Sequence, residues 1–219
     1  MDQTSPRPDL RTLQHPMFSR FWTTVSSIAD RRGVAEFRRE LVRSTAGRVV
    51  EVGAGNGLNF AHYPASVTEV IAVEPNDSLR AHADRHARSA PVPVRVVAGQ
   101  AEALPAADGS VDGVVLSQVL CSVPSPQRAL REVRRVLRPG GTVHFLEHVR
   151  SARPLVGAFQ QRIAPVWRRL CGGCELHRDA AVELERAGFA LAATRRFGFS
   201  PGPLFWMTYV LGTATPDEG

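Results

Sequence analysis

Glu51-Val52-Gly53-Ala54-Gly55-Asn56-Gly57 completes the apolar run Val49 to Val52 and leads into residues of helical character. A strand that ends in closely spaced glycines is a strand turning sharply into a helix. Glycine takes positive φ at little cost and leaves room for a ligand against the backbone. The spacing argues against a dinucleotide fingerprint: GxGxxG needs a small residue at its sixth position, where this chain has Leu58, and Gly57 arrives one residue early. What remains is acidic-x-Gly-x-Gly-x-Gly. Glu51 points the same way, since a carboxylate beside the loop repels a pyrophosphate and suits an ammonium group. Taken without its surroundings, the segment would serve equally as a plain tight turn.

Outward from this loop, short β-branched runs alternate with helical stretches: Val49 to Val52, Val70 to Val73, Val94 to Val97, Val111 to Val119 and Thr142 to Val149. Such alternation implies crossover helices and a mostly parallel sheet, an α/β architecture. Pro126 to Leu137 reads as a helix, with Ala129, Leu130, Val133, Val136 and Leu137 on one face and Pro139-Gly140-Gly141 as its stop. Residues 150–177, with Pro154, Pro165 and the Cys171-Gly172-Gly173-Cys174 segment, are too long for a simple strand-to-helix connection and form an insertion on the acceptor side. A helix around Arg178 to Ala187, a strand around Phe189 to Phe197 and a last strand around Leu204 to Leu211 complete seven strands.

Upstream, residues 1–16 carry Pro6, Pro8 and Pro16 without periodicity and read as a flexible leader. Phe18, Phe21, Trp22, Val25, Ile28 and Ala29 then recur at helical spacing, and a second helix is expected from Val34 to about Arg43. Residues 17–46 are thus a helical cap on a main domain, 47–219.

The 219 residues suit one core with appendages, and 43% hydrophobic against 22% charged residues argues against a disordered or fibrous chain. The net charge of +6 comes from arginines scattered along the chain, with no cluster resembling a nucleic-acid arm, so no nucleic-acid partner is expected. An arginine-rich, lysine-poor composition fits a GC-rich bacterial coding background. No apolar run approaches the roughly 20 residues that span a bilayer, and no basic-then-apolar signal opens the chain, so a cytoplasmic protein without stable membrane insertion is expected. Three cysteines, Cys121, Cys171 and Cys174, are too few for a disulfide framework. Monomer and homodimer stay equally open.

Glu74 ends the second strand, 21 residues after Gly53, where an open α/β sheet presents a carboxylate to both hydroxyls of a ribose. Past the third strand, Gly99-Gln100-Ala101-Glu102-Ala103-Leu104-Pro105 offers polar groups and backbone amides where an adenine would lie. Joined by Asp112-Gly113-Val114-Val115-Leu116-Ser117-Gln118-Val119-Leu120 and Leu137-Arg138-Pro139-Gly140-Gly141, these pieces resemble the class I S-adenosylmethionine-dependent methyltransferase family from Arg48 to Val149. That resemblance implies a Rossmann-like sheet of seven strands, mostly parallel with the last antiparallel, helices on both faces and an N-terminal helical lid. It implies S-adenosylmethionine as cofactor, S-adenosylhomocysteine as product, and Glu51, Gly53, Gly55, Gly57, Glu74, Pro75, Gln100, Ala101, Glu102, Ser117 and Gln118 as the cofactor's contacts. A sulfonium cofactor carries no phosphates, which accords with the acidic loop.

A narrower resemblance, to the alkyl-thiol methyltransferases and their bacterial relatives, some of them phospholipid methyltransferases, runs nearly to the C-terminus. It is carried by Leu120-Cys121-Ser122-Val123, Phe145-Leu146-Glu147-His148-Val149, Gln160-Gln161 with Pro165 and Trp167, and Gly173-Cys174-Glu175-Leu176 with Arg178. It implies a small thiol or dithiol acceptor, with a phospholipid or a secondary metabolite methylated at N or O as the other reading. A thiol near pKa 8.5 is only a few per cent ionised at neutral pH, so a base helps. His148, at the carboxyl end of the fifth strand and following Glu147, is the first candidate, and His177, beside the insertion, the second. Phe18, Phe21, Trp22, Cys121 and Trp167 are expected to line the acceptor pocket, with Phe199, Phe205 and Trp206 adding aromatic surface. The cap helix is expected over the acceptor and not over the adenosyl end. Cys171-x-x-Cys174 is half a zinc site that would need Cys121 and a histidine to complete it, so no metal is expected.

Overall fold

A computed structural model describes residues 10–14, 16–150, 154–170, 172–200 and 207–217. Seven strands form one sheet: β1 (Gly47–Val52), β2 (Val67–Val73), β3 (Val94–Val97), β4 (Val111–Ser117), β5 (Leu137–Val149), β6 (Phe189–Phe199) and β7 (Met207–Pro216). Their order is β3-β2-β1-β4-β5-β7-β6, and every pairing from β3 to β5 is parallel. β7 runs antiparallel to both β5 and β6, so it alone opposes the other six. β1 pairs with β2 on one side and β4 on the other, which makes its carboxyl end the point where the winding reverses and a crevice opens.

The helices are α1 (Pro16–Ala29), α2 (Ala35–Val42), α3 (Asp77–Ala87), α4 (Pro126–Val136), α5 (Pro154–Leu170) and α6 (Ala180–Arg186). Central strands are buried on both faces because helices cover both. Ala129, Leu130, Val133 and Val136 of α4 and Leu184 of α6 join one core with Val50, Val114 and Phe145, while Leu41 and Val42 of α2 and Ala83 of α3 join the other with Val49, Val70 and Val115. Local chemistry sets the starts. The Asn76 side chain accepts from the backbone N–H groups of Ser78 and Leu79 at the head of α3, and Ser125 caps α4 just ahead of Pro126 at its first turn.

Three details depart from the sequence reading. The last strand begins at Met207 and runs on to Pro216, five residues past the expected end; Leu204, Phe205 and Trp206 lie outside the described residues, as does most of the expected leader. β5 starts at Leu137, so Pro139-Gly140-Gly141 falls within the strand segment that follows α4. The insertion, left without assigned elements, holds the 17-residue helix α5, which runs through Pro165. Among the described residues, no helix is long and apolar enough to cross a membrane.

Candidate active site

Glu74 follows β2 directly, and each oxygen of its carboxylate accepts one backbone bond, which leaves further acceptor capacity: Oε2 accepts the Gly55 N–H at 2.8 Å and Oε1 the Asn76 N–H at 2.8 Å. Burial raises its pKa against those two bonds. Gly53 and Gly55 sit at φ +62° and +58°, which β-carbons resist. A Cβ on Gly53 would strike Val119 at 2.8 Å; one on Gly55 would stand in the open space facing the Trp22 indole at 3.5 Å. Gly55 therefore keeps a cradle clear, while Gly53 lets the loop pack against Val119 where both line the crevice. Gly57 serves a different purpose. It does not line the crevice, and a Cβ there would strike the Phe60 ring at 2.6 Å and crowd α3 at Ala83, so its assignment as a cofactor contact gives way to loop-to-helix packing.

Glu51, at the end of β1, is 1% exposed; its Oε1 accepts from Asn59 Nδ2 at 2.8 Å and its Oε2 from the Tyr63 hydroxyl at 2.7 Å. Arg38 bonds Asn59 Oδ1 at 2.9 Å and Asp30 at 2.8 Å. Burial pushes Glu51 up to about 7 despite those bonds and the Arg38 charge. A cation beside a carboxyl so placed in the crevice wall would favour its ionised form further. The residues thus fit S-adenosylmethionine: Glu51 for its ammonium, Glu74 for the ribose, and Gly53 and Gly55 for close approach.

One continuous cavity of about 370 Å³ runs from these groups to the end of β5. Pro75, Gln100, Ala101, Glu102, Ser117 and Gln118 line it, as do Phe18, Phe21, Trp22, Cys121, Trp167 and His148. Gln118 holds φ +59° while donating its N–H to Leu146 at 2.8 Å, a strained non-glycine conformation where β4 gives way to the cavity. Phe199 does not reach the cavity; it packs edge-on against Phe37, 5.3 Å between centroids. His177 is half exposed on a turn outside it, 3.5 Å from Glu175, and is withdrawn as a candidate base.

At the far end the chain brings together three side chains from three segments. His148 Nε2 lies 2.8 Å from Cys174 Sγ, Trp167 Nε1–H donates to the same sulfur at 3.2 Å, and the ligand atoms of Cys121, His148 and Cys174 all lie within 4.8 Å of one another. All three are buried and all three line the cavity. The bond from Cys121, then those from His148 and Trp167 with the His148 charge, hold the Cys174 thiol well below its ordinary range against burial. Burial alone would lower His148, but its hydrogen bond to Cys174 and the charge there outweigh burial and raise it. Cys121 moves up, through its bond to Cys174 and through burial. Both shifts favour a Cys174 thiolate facing a His148 imidazolium.

The loop carrying Cys121 is held from two directions. Glu147 Oε1 accepts the Val119 and Leu120 N–H groups at 2.7 and 3.0 Å, so Glu147 orients this loop and not the imidazole next to it in sequence. From just past the insertion, Arg178 donates to the Leu120 and Val123 carbonyls at 2.6 and 2.9 Å. Gly172 and Gly173, at φ +60° and +90°, end α5 and turn the chain back to place Cys174; a Cβ on Gly172 would strike the Phe18 ring at 2.9 Å. Cys171 lies outside the described residues.

The cap reaches both ends of the cavity. Phe18 stacks on Trp22 near the thiols, yet Trp22 also faces Gly55, Ser26 accepts from Asn56 Nδ2 at 3.1 Å, and Gln14 bonds Pro75 O and the Asp77 N–H. It does not leave the adenosyl end open, as the sequence had suggested. The sequence reading also missed Arg38, Asn59, Tyr63 and Tyr209, which support or line the site from distant positions; it grouped Cys174 with Cys121 and a histidine only as the incomplete half of a zinc site.

Comparison with known proteins agrees with this geometry. Residues 50–145 match the family model described as Methyltransferase domain. Human thiol S-methyltransferase TMT1A is 39% identical over 165 residues, covering 72% of this chain and 65% of that protein; human TMT1B is 37% identical over 175 residues, covering 76% and 69%. The chain thus spans about two thirds of the length of each. Among solved structures, geranyl diphosphate methyltransferase in complex with S-adenosylmethionine superposes with a TM-score of 0.65 at 16% identity, covering 84% of both chains, a likeness of fold. A reversed winding at β1, an acidic Gly-x-Gly loop, a buried Glu74 at the crevice and relatives of this identity together place the chain in the class I S-adenosylmethionine-dependent methyltransferases.

Proposed function

We propose that the protein methylates small thiols at sulfur, that the cavity end bounded by Cys121, His148, Trp167 and Cys174 receives the acceptor, and that residues 17–46 and 150–177 form its cover. S-adenosylmethionine supplies a methyl group on a cationic sulfur, open to in-line attack. The chain has to align an acceptor with that methyl group, keep water out and manage one proton. The Cys174–His148 pair is the observation that carries the thiol reading. A site that stabilises its own thiolate with an imidazolium and an indole N–H offers the same surroundings to an incoming one. The His148 charge and the Trp167 indole N–H favour the anion of an acceptor sulfur over its thiol, so the acceptor ionises as it binds and its proton leaves to solvent. His148 therefore acts through its charge, facing the sulfur that attacks the methyl group. Phe18, Trp22 and Trp167 make the surroundings apolar, which suits a small, partly apolar thiol. Similarity to TMT1A and TMT1B supports the same acceptor class.

A mass-spectrometric screen of thiols, amines, phenols and phospholipids with the purified protein and S-adenosylmethionine tests this. Gain of one methyl group on thiols alone is expected. Methylation of amines, phenols or lipids with thiols inert would replace the reading.

A further inference from the structure

Methyl transfer to a thiol needs one proton acceptor, and the cavity holds more than that: two buried thiols beside one imidazole, on segments bonded to each other through the Glu175 N–H and the Cys121 carbonyl at 2.8 Å. Both cysteines are free. Cys174 has the three donors that keep a thiolate, Cys121 is its near neighbour, and both face the space where a small molecule enters. A nucleophilic sulfur with a second thiol in reach is the arrangement that opens disulfides.

We propose that Cys174 and Cys121 form a thiol–disulfide exchange site inside the acceptor pocket, with small organic disulfides as its substrates. Cys174 Sγ attacks one sulfur of R–S–S–R′, forming the mixed disulfide Cys174–S–S–R and expelling R′S⁻, which takes the proton of the His148 imidazolium and leaves as R′SH. Neutral His148 then accepts the Cys121 S–H proton. The Cys121 thiolate attacks Cys174 Sγ, forming the Cys121–Cys174 disulfide and releasing R–S⁻ within the pocket. The substrate disulfide is reduced by two electrons and the cysteine pair oxidised by two. An external dithiol returns the pair to its starting state. Glu147 and Arg178 are the other charged groups acting on this cluster, and both hold the Cys121 loop in place. That the released R–S⁻ is then methylated rests on the thiol reading above; the exchange does not.

The test uses the full chain carrying Cys171→Ser, which leaves Cys121 and Cys174 as its two cysteines, reduced and mixed with bis(2-hydroxyethyl) disulfide without S-adenosylmethionine. Two equivalents of mercaptoethanol per chain and a peptide-mapped Cys121–Cys174 disulfide are expected. Adding Cys121→Ser should stop the reaction at a mixed disulfide on Cys174 with one equivalent released, and His148→Ala should slow exchange about 10-fold or more at pH 6.5. Calorimetric binding of S-adenosylmethionine reports whether each variant is folded, and the Cys171→Ser result stands without them. Unreacted thiols would overturn the proposal, as would exchange no faster than that of an ordinary exposed thiol, or a protein that arrives with a metal ion masking both sulfurs. A final arm adds S-adenosylmethionine: methyl thioether in stoichiometric yield without reductant, and catalytic yield with dithiothreitol, is expected. Exchange without methyl thioether would count against the thiol acceptor and leave the exchange site intact.

Discussion

At the residue scale, proton handling and cofactor contact separate cleanly along the cavity. With a thiol acceptor, His148→Ala should cost up to about 30-fold in turnover near pH 7, the ratio between full ionisation and the few per cent thiolate that a free thiol has there. The variant should recover relative to the parent as pH approaches the acceptor's own pKa, while calorimetric affinity for S-adenosylmethionine hardly changes. A deficit constant across pH would mean lost packing instead. At the other end, Glu74→Ala removes the acceptor of two backbone N–H groups as well as the ribose partner, so cofactor affinity should fall at least about 10-fold. Gly55→Val should abolish measurable binding, since a branched side chain resists φ +58° and would fill the cradle. Unchanged affinity in both would reduce the loop to a turn. That Glu51, Gly53, Gly55 and Glu74 gather at one crevice was legible in the sequence because strand, loop and charge are contiguous there. Gly57 was not, because only the tertiary position of Phe60 reveals which way its missing side chain would point.

At the element scale, α1 spans the cavity instead of capping one end. Trp22→Ala should therefore weaken cofactor binding and raise the acceptor KM together, measured by calorimetry and initial rates on one preparation. An effect on the acceptor alone would return the helix to the narrower role that its amphipathic pattern suggested. That pattern was enough to find α1, since apolar residues at helical spacing need a surface to cover. It says nothing about which surface. For α5 even existence was hidden: Pro165 and the flanking glycines argue locally for irregular chain, and packing of Ile163 and Trp167 against Cys121, Cys174 and Leu176 overrides them.

Across the whole molecule, the price of the site is two carboxyls buried behind the sheet's carboxyl edge. Burial raises both Glu51 and Glu147 to about 7. A folded-state pKa above the ordinary value means that the protonated form favours the fold. This contribution is full below about 4.5 and is lost as pH rises through about 7, a span worth roughly 3 kcal/mol for each fully buried group. Thermal melts without cofactor should show stability from these groups declining between pH 5 and 8. Glu147→Gln keeps the oxygen that accepts from Val119 and Leu120, so it should flatten that decline and raise the melting temperature at pH 8 by several degrees. An unchanged slope would mean that the two carboxyls do not set it.

By itself the sequence determined what short-range chemistry controls: the alternation of strands and helices, the acidic glycine loop and Glu74. These follow from β-branched runs, turn residues and a strand-end carboxylate within one crossover unit. Only the tertiary structure decided what depends on long-range encounter. Cys121, His148, Trp167 and Cys174 meet because β4, β5 and the insertion converge at one sheet edge, and the spacing of four residues spread over 54 positions carries no record of that convergence.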